Sequence, residues 1–474
     1  MLRVKRGRTG SFWRQGYGKV IIKTMKHLTI SAALLAGGLT GAPAFAEAPD
    51  WDKYEAQAVS LLRDYLRIDT TNPPGNEDRA ADFLAGVLKG AGIPFERFES
   101  SPGRGIVYAR LKGTGKKRPL LLTHHMDVVP ADAAAWTVPP FSGELKDGYV
   151  WGRGAIDMKT TGILHLLLLK MIKEGGEPLS RDLVYLAVSD EEVDSEGMRW
   201  FIANKKELIA DAEFALNEGA VIESAPGRAD SYAVSTVEKA PLWLEMTAEG
   251  TASHASEPSS DPAVERLLRA LDKITLAPRP VKLIPSVEMY FAATGRPDIK
   301  NELLDPDKAE KILDIPYNRA ILTNTVSVTQ LKGGDKINTH PNKATAGLDC
   351  RLLPGESPEE FLAGLKKLVN DDRVSFRTLL SESSKESSPD SELFRAIRKV
   401  ALERDKKAVV APAVLTSSTD SHYLRELGIA AYGFEPYRLS DGDELSHAND
   451  ERISVENVKF ALRFLYAVLR ETGK

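Results

Sequence analysis

The chain has 474 residues, which is too long for one ordinary hydrophobic core and predicts two domains, or one large domain that carries an insertion. Hydrophobic residues make up 42% and charged residues 27%, a mixture that excludes wholesale disorder and a protein with many membrane spans. The formal net charge is -4, with both signs interspersed and no basic stripe that would neutralise phosphates. Nucleic acid is therefore excluded as an expected partner.

The first 46 residues differ from the rest of the chain. A basic run from Arg3 to Lys26 precedes an apolar stretch from Leu28 to Leu39 and the small residues Ala44-Phe45-Ala46. This order is typical of a secretory signal, so we predict cleavage near Glu47 and a periplasmic or secreted mature protein without a stable membrane span. Translation from Met25 would retain the same apolar stretch. A retained membrane anchor is the alternative, although the stretch is short for one.

The next part of the chain alternates helical and strand patterns. Helical spacing of apolar residues predicts helices at 51–66, 80–88 and 163–172. Short apolar runs predict buried strands at 119–123, 183–188 and 214–216. This alternation favours an α/β fold with a mostly parallel sheet, in which ligands bind beyond the carboxyl ends of the strands.

The pattern changes at Lys239, where apolar and polar residues begin to alternate as in a half-exposed strand. A helix at 262–271, strands at 324–331 and 345–352, a helix at 358–369 and a strand at 374–379 follow. The order β-α-β-β-α-β predicts an inserted ferredoxin-like α+β lid. The segment 278–319, rich in Pro, Asp and Lys, predicts an insertion over the rim that shapes the substrate pocket.

A serine-rich linker at 381–388 returns the chain to the first domain, which a strand at 430–434 and a helix at 455–469 complete. The predicted boundaries are a signal and leader at 1–46, a first catalytic part at 47–238, a lid and dimerisation domain at 239–382, and a second catalytic part at 383–474.

Several acidic and imidazole side chains follow predicted strands. His125 and Asp127 stand two residues apart, so on an extended backbone they project to the same side, as a metal ligand and the carboxylate that orients it would. The adjacent Glu191 and Glu192 project differently, which favours two roles, one as a metal ligand and one as a general base. Each of these patterns alone is equally typical of a surface turn.

Asp157, Glu218 and His447 complete the set. Asp157 precedes an apolar helix and could alternatively be its N-cap, Glu218 ends a strand, and His447 follows the last strand. The whole chain contains one cysteine, Cys350, so any metal must be held by His, Asp and Glu. Two histidines and several carboxylates at consecutive strand ends are ligands that zinc, cobalt or manganese accepts.

Taken in order, these motifs resemble the M20 family of metallopeptidases, which includes aminoacylases, carboxypeptidases and succinyl-diaminopimelate desuccinylase. The resemblance spans the chain from about Trp51 to the C-terminus. The segments that carry it are His125-Met126-Asp127-Val128-Val129-Pro130, Gly152-Arg153-Gly154, Asp157-Met158-Lys159, Asp190-Glu191-Glu192, Asn217-Glu218-Gly219, and His447 with Glu451.

The resemblance implies two Zn²⁺ ions bridged by Asp157, with Co²⁺ or Mn²⁺ as substitutes. It implies that His125 and Glu218 hold one ion and that Glu192 and His447 hold the other. Glu191 would act as the general base.

The resemblance also implies roles for residues outside this set. His254 in the lid would reach the active site of a second copy in a homodimer and stabilise the oxyanion. Asn338 and Arg351 match positions that hold substrate, and an arginine grips a carboxylate with two hydrogen bonds. Arg351 could instead form an ordinary salt bridge on the strand face. Ser418 and Thr419 resemble the loop that binds a substrate carboxylate.

The expected function is a zinc-dependent hydrolase that cleaves an amide bond next to a free amino-acid carboxylate, acting on small peptides as a carboxypeptidase or dipeptidase. Removal of an acyl group from an N-acyl amino acid is the alternative, because both substrates present the same carboxylate. A catalytically silent protein that binds zinc or peptides is a third reading, which the presence of Glu191 and Asp157 disfavours.

Overall fold

The computed structural model describes residues 48–474, apart from residue 177 and residues 225–228, 440–441 and 443–444. The described residues belong to one compact unit. The predicted secretory signal at 1–46 lies outside them and stays a prediction. Among the described residues, no helix combines the length and the apolar character that crossing a bilayer requires.

The helices agree closely with the apolar periodicity of the sequence. The first predicted helix and the helix at 358–369 have the bounds that the sequence predicts. In chain order the helices are α1 (Trp51–Leu66), α2 (Glu77–Gly90), α3 (Lys159–Glu174), α4 (Glu196–Lys205), α5 (Ala263–Leu276), α6 (Pro285–Ala293), α7 (Ile299–Glu302), α8 (Pro306–Leu313), α9 (Pro316–Leu322), α10 (Pro358–Val369), α11 (Glu392–Arg404), α12 (Ser421–Glu426) and α13 (Val455–Thr472).

The strands include several that the sequence pattern did not reveal. Among these are β8 and β15, which are the last two strands of the main sheet. In chain order the strands are β1 (Phe95–Glu99), β2 (Gly105–Leu111), β3 (Leu120–His125), β4 (Glu144–Lys146), β5 (Tyr149–Trp151), β6 (Leu183–Val188), β7 (Phe214–Glu223), β8 (Ser231–Glu238), β9 (Ala240–Glu249), β10 (Ser253–His254), β11 (Thr325–Gly333), β12 (Thr339–His340), β13 (Lys343–Leu352), β14 (Val374–Ser381), β15 (Val409–Leu415), β16 (Ala430–Leu439) and β17 (Arg452–Ser454).

The main sheet has the order β1-β2-β6-β3-β7-β16-β8-β15 in the described part of the chain. The central pairs β6 with β3, β3 with β7, and β7 with β16 are parallel. Alternate residues of each strand enter cores on opposite faces: Leu120 and Leu122 pack with α1, α3 and α13, whereas Leu121 packs with α4 and α12. Helices thus cover both faces, which confirms the predicted α/β fold with a mostly parallel sheet.

The second sheet has the order β11-β13-β9-β14 and lies within the range predicted for the lid. All its neighbouring strands are antiparallel. Its inner face packs on α5 and α10, and Leu244, Leu348 and Cys350 lie in that core. The order of elements is the β-α-β-β-α-β arrangement of a ferredoxin-like unit. The outer face of this sheet faces a cleft between the two sheets, called the main cleft, and Trp243 of β9 lines that cleft.

The segment 278–319 forms α6, α7, α8 and part of α9. Val287 and Phe291 of α6 pack against Val237 of β8 and Val414 of β15, the strand at the end of the main sheet. No residue of this segment lines the main cleft among the described residues. The expectation that the segment shapes the substrate pocket is therefore wrong. It covers an edge strand, which would otherwise expose unpaired backbone groups and apolar side chains.

We expect Phe291→Ala to lower the free energy of unfolding by about 3 kcal/mol, because the ring is 2% exposed and its removal leaves a cavity. The matched control is Met289→Ala, on the same helix but 43% exposed, which should change stability little. Urea denaturation measures the stability, and KM should stay unchanged in both variants. A raised KM in Phe291→Ala would contradict this account of the segment.

Candidate metal centre

The predicted ligands converge because they come from neighbouring strands of the main sheet. His125 is the last residue of β3, and Glu192 follows β6, which lies beside β3. Glu218 belongs to β7 on the other side of β3, and His447 follows β16, the next strand along. The sequence predicted that this strand ends at Glu218. The strand continues to Glu223, so Glu218 is held by the sheet itself.

Asp157 lies between the two histidines. Its Oδ1 is 3.0 Å from His125 Nε2, and its Oδ2 is 3.2 Å from His447 Nε2. Glu218 Oε2 lies 3.7 Å from His125 Nε2, and Glu192 Oε2 lies 3.1 Å from His447 Nε2. The five side chains therefore form two groups that share one carboxylate, with one imidazole and one glutamate on each side.

The loop that carries Asp157 is fixed by Glu451, which is fully buried. Glu451 accepts backbone N-H bonds from Gly154, Ile156 and Asp157 at 3.0, 2.7 and 3.1 Å, and it pairs with Arg153 at 2.7 Å. Three N-H donors and a guanidinium on one carboxylate leave the loop little freedom. The orientation of Asp157 is thus set by a residue 294 positions later in the chain.

Asp127 fixes the turn that carries the two glutamates. Its carboxylate accepts the backbone N-H groups of Glu191 and Glu192, each at 3.1 Å, and the amide of Asn72 at 2.8 Å. The nearest acceptor for His125 Nδ1 is the backbone oxygen of Asp127 at 3.0 Å, whereas the Asp127 carboxylate is 3.6 Å away. A proton on Nδ1 directs the Nε2 lone pair towards the centre, as metal binding requires.

Several buried carboxylates lie close together at this centre, and they shift the pKa values of one another and of the two imidazoles. Burial, followed by the charge of Glu218, raises the pKa of Glu191 well above its usual value, and burial raises the pKa of Glu218 to about 7. Hydrogen bonds to Asp157 and Glu192 raise the pKa of His447 to about 10. Burial alone would lower the pKa of the His125 imidazole, but the carboxylates around it, Glu218 foremost, outweigh burial and raise it.

The donor set fits divalent cations. Within the described part of the chain, the buried oxygens Glu192 Oε1 and Glu218 Oε1 have no hydrogen-bond partner. Ligand atoms of His125, Asp157 and Glu192 lie within 4.8 Å of one another, and so do those of His125, Glu191 and Glu218. Imidazole and carboxylate ligands with unpaired oxygens are what zinc and similar transition metals require, and positive charge would relieve the repulsion among the acids.

A cleft of about 550 Å³ opens beside this centre, between the main sheet and the lid sheet. Asp157, Glu191, Glu192, Glu218 and His447 line one side of it. The opposite side carries lid residues and the loop after β15, and these are Pro241, Trp243, Arg351, Leu379, Leu380, Glu382, Ser417, Ser418 and Thr419.

Of the predicted substrate-binding residues, Arg351, Ser418 and Thr419 line the cleft. Arg351 also pairs with Asp349 through two nitrogens, at 2.8 and 3.1 Å, which is the salt bridge that the sequence analysis gave as the alternative. Substrate binding by Arg351 stays a prediction. Thr419 is held by Glu238, which accepts its backbone N-H and its hydroxyl. This contact fixes the loop, and the half-buried Ser418 is more accessible than the buried Thr419.

His254 and Asn338 do not line the cleft. They lie beside each other at one end of the lid, where Ala255 donates its N-H to the backbone oxygen of Asn338. His254 is exposed, and β10 pairs only with the short strand β12 in the part of the chain described. Within one copy of the chain, neither residue belongs to the group around Asp157.

Sequence reasoning assigned no role to several residues that surround or position this site. Asn72 donates to both Asp127 and Asp190 at 2.8 Å, yet its place before two prolines signals only a turn. Asp420 is buried near His125 and Glu218, and burial raises its pKa well above the usual value. Glu382 follows a lid strand in a serine-rich stretch that indicates only a linker. These roles depend on contacts between segments distant in sequence.

The comparisons with known proteins agree with this geometry. Residues 121–471 match the model of peptidase family M20/M25/M40. The chain is 28% identical to aminoacylase-1 of Sus scrofa over 84% of this chain and 91% of the relative. It is also 28% identical to a probable carboxypeptidase S-like 2 of Dictyostelium discoideum, over 75% of this chain and 72% of the relative.

A similar solved structure is an M20 family metallo-carboxypeptidase of Sulfolobus solfataricus, with a TM-score of 0.68 and 21% identity. The match covers 88% of this chain and 99% of that one, so it shows the same fold. The family match spans most of the chain, and the chain therefore belongs to peptidase family M20. It is a metal-dependent amide hydrolase, and the ligand groups around Asp157 are its candidate metal site.

We expect Glu451→Gln to lower the affinity for zinc about tenfold or more, because the amide weakens the bonds that hold the Asp157 loop. Competition with a chromophoric chelator measures the affinity, and thermal unfolding reports any general loss of stability. The control is Glu456→Gln, an exposed carboxylate on α13 that pairs with Lys459. An unchanged affinity in Glu451→Gln would show that the loop orients Asp157 without this contact.

Proposed function

We propose that the protein is an exported, zinc-dependent hydrolase that cleaves an amide bond next to a free amino-acid carboxylate, with peptides as its main substrates. The observation that carries this proposal is the Asp157 carboxylate shared by two ligand groups, with Glu191 beside them. In this proposal His125, Glu218 and Asp157 hold one zinc ion, and Glu192, His447 and Asp157 hold the other. Cobalt or manganese would substitute. Export rests on the sequence of the leader alone.

Glu191 is the general base in this proposal. Its carboxylate lies within 4.8 Å of ligand atoms of His125 and Glu218 and lines the cleft where substrate enters. Bound zinc would supply Lewis acidity towards the scissile carbonyl and the attacking water. Glu191 takes the proton of that water and passes it to the departing nitrogen, and a raised carboxyl pKa suits a group that must both accept and return a proton.

The rest of the cleft supports a substrate with a free carboxylate. Arg351 is the lid cation that lines it, and Ser418 offers a hydroxyl nearby. A carboxypeptidase or dipeptidase and an N-acyl amino-acid hydrolase would both use this anchor. The relatives named as a probable carboxypeptidase S-like 2 and as aminoacylase-1 are equally similar, so hydrolysis of N-acyl amino acids is the second candidate.

The experiment is release of free amino acid by the zinc-reconstituted protein from a panel of dipeptides and a panel of N-acyl amino acids. We expect cleavage, with dipeptides preferred. Glu191→Gln should keep both metals and lose turnover by about 10²-fold or more, whereas Asp157→Ala should lose metal as well. Cleavage of neither panel would overturn the proposal, and full turnover in Glu191→Gln would overturn the role of the base.

We also propose that the lid forms a homodimer and that His254 and Asn338 act in the partner copy's cleft. The exposed positions of both residues, outside the cleft of their own chain, support this idea. The exposed strand β11 lies at the edge of the lid sheet and carries Val328 and Leu331, which are 38% and 60% exposed. Such an edge is a template for pairing with a second chain.

We expect His254→Ala to lower kcat by about 10²-fold with little change in KM, because the imidazole would stabilise negative charge that develops only in the transition state. Steady-state kinetics measure this, and sedimentation velocity measures the oligomeric state. The control is His340→Ala on the adjacent strand β12. A monomer with full activity, or an effect of His254→Ala on KM alone, would contradict the proposal.

A further inference from the structure

The outer face of the lid sheet presents an ordered row of side chains to the cleft. Arg351 of β13 pairs with Pro241 of β9, and Glu382, directly after β14, donates its backbone N-H to Pro241 on the other side. Residues directly opposite each other on neighbouring strands point to the same face. All three residues line the cleft. The floor of the cleft therefore carries a cation and an anion on either side of one proline.

The next row of the same face is apolar on the side of β14. Trp243 of β9 pairs with Leu380 of β14, and both residues line the cleft. The pairing shifts between Thr378 and Leu380, and Leu379 at this bulge is 52% exposed and also lines the cleft. Bulges of this kind redirect a side chain near an active site. This surface offers contact area to an apolar side chain. On the other side of Trp243, Asp349 of β13 carries a carboxylate that pairs with Arg351 and does not line the cleft.

Glu382 is not engaged by a cation. Its carboxylate accepts the Ser418 hydroxyl at 3.2 Å and the Tyr423 hydroxyl at 3.1 Å, and both donors are neutral. Among the ion pairs of the described residues, none includes Glu382, whereas the cleft carboxylate Asp194 pairs with Arg199. Two hydroxyls thus orient the Glu382 carboxylate in the proposed substrate cleft. A positively charged group bound there would form an ion pair with it.

We propose that Glu382 binds the free α-amino group of a short peptide, which makes unacylated peptides rather than N-acyl amino acids the substrate class. This inference rests on the proposed function. Arg351 and Glu382 are two strand spacings apart, about 10 Å between backbones, and their side chains reach inward from there. An extended dipeptide spans about 7 Å between its charged ends. A zwitterion of this length matches the cation and the anion of the cleft floor.

The alternative substrate lacks the group that Glu382 would bind. An N-acyl amino acid has a carboxylate for Arg351 but a neutral acyl group in place of the ammonium. Its binding would leave the Glu382 carboxylate without a countercharge in a partly desolvated cleft, which is unfavourable. The same residue therefore favours one substrate class and disfavours the other.

The test compares alanyl-leucine with N-propionyl-leucine, which contain the same amide bond and differ by the ammonium alone. Wild-type enzyme should show a kcat/KM about tenfold or more higher for alanyl-leucine. Glu382→Gln should remove this difference, mainly by raising KM for alanyl-leucine, with less than about a twofold change for N-propionyl-leucine. The glutamine oxygen accepts a hydrogen bond from one of the two hydroxyls, and its NH2 group can donate to the oxygen of the other. The control is Glu426→Gln, a carboxylate of α12 that pairs with Lys385 and does not line the cleft.

The outcomes separate this inference from the proposed function. An equal loss on both substrates would show that Glu382 only holds the Ser418 loop, and an unchanged preference would show that it does not meet the substrate. Either result overturns the inference while the hydrolase activity stands. A wild-type preference for N-propionyl-leucine also overturns it. Silence on both substrates, by a zinc-loaded and folded protein, would overturn the inference together with the proposed function.

Discussion

Mutual repulsion of buried carboxylates is the constraint on which this structure depends. Asp157, Glu192 and Glu218 approach one another at the carboxyl edge of the sheet, with Glu191 beside them, and the imidazoles of His125 and His447 lie among them. Like charges in a partly buried site raise each other's pKa and oppose folding. Contacts with the surrounding residues must therefore hold these carboxylates together against their repulsion. Divalent cations are the ligands that the negative charge of the site favours.

Buried carboxylates hold the loops of the site, mainly by accepting hydrogen bonds from backbone N-H groups. Glu451 binds three N-H groups of the Asp157 loop, and Asp127 binds two N-H groups of the turn that carries Glu191 and Glu192. Glu238 holds the Thr419 loop on the far side of the cleft in the same way. Each of the three carboxylates is buried, and each fixes the position of the loop that it binds.

Much of this could be predicted from the sequence because the pattern of apolar residues is local. The periodicity of α1 and the apolar runs at the start of β3 and throughout β6 define their elements directly, and the residues at or just after the ends of those strands identify the chemistry. The bridging role of Asp157 was predicted from the family resemblance, because no local feature of the sequence distinguishes a bridging aspartate from a helix N-cap. The packing of Phe291 against β15 and the hydroxyls around Glu382 could not be predicted, because they join segments that are distant in the chain.

The contact between Glu451 and the Asp157 loop also bears on the order in which the site can form. The loop and its clamp are separated by 294 residues, with the lid sheet between them in the chain, and His447 lies on the same late segment as Glu451. A chain that has emerged only as far as the lid holds His125, Asp157 and Glu218 but lacks the second imidazole and the clamp. Completion of the candidate metal site is thereby coupled to completion of the chain, because a product truncated after the lid would lack both His447 and the residue that fixes the Asp157 loop.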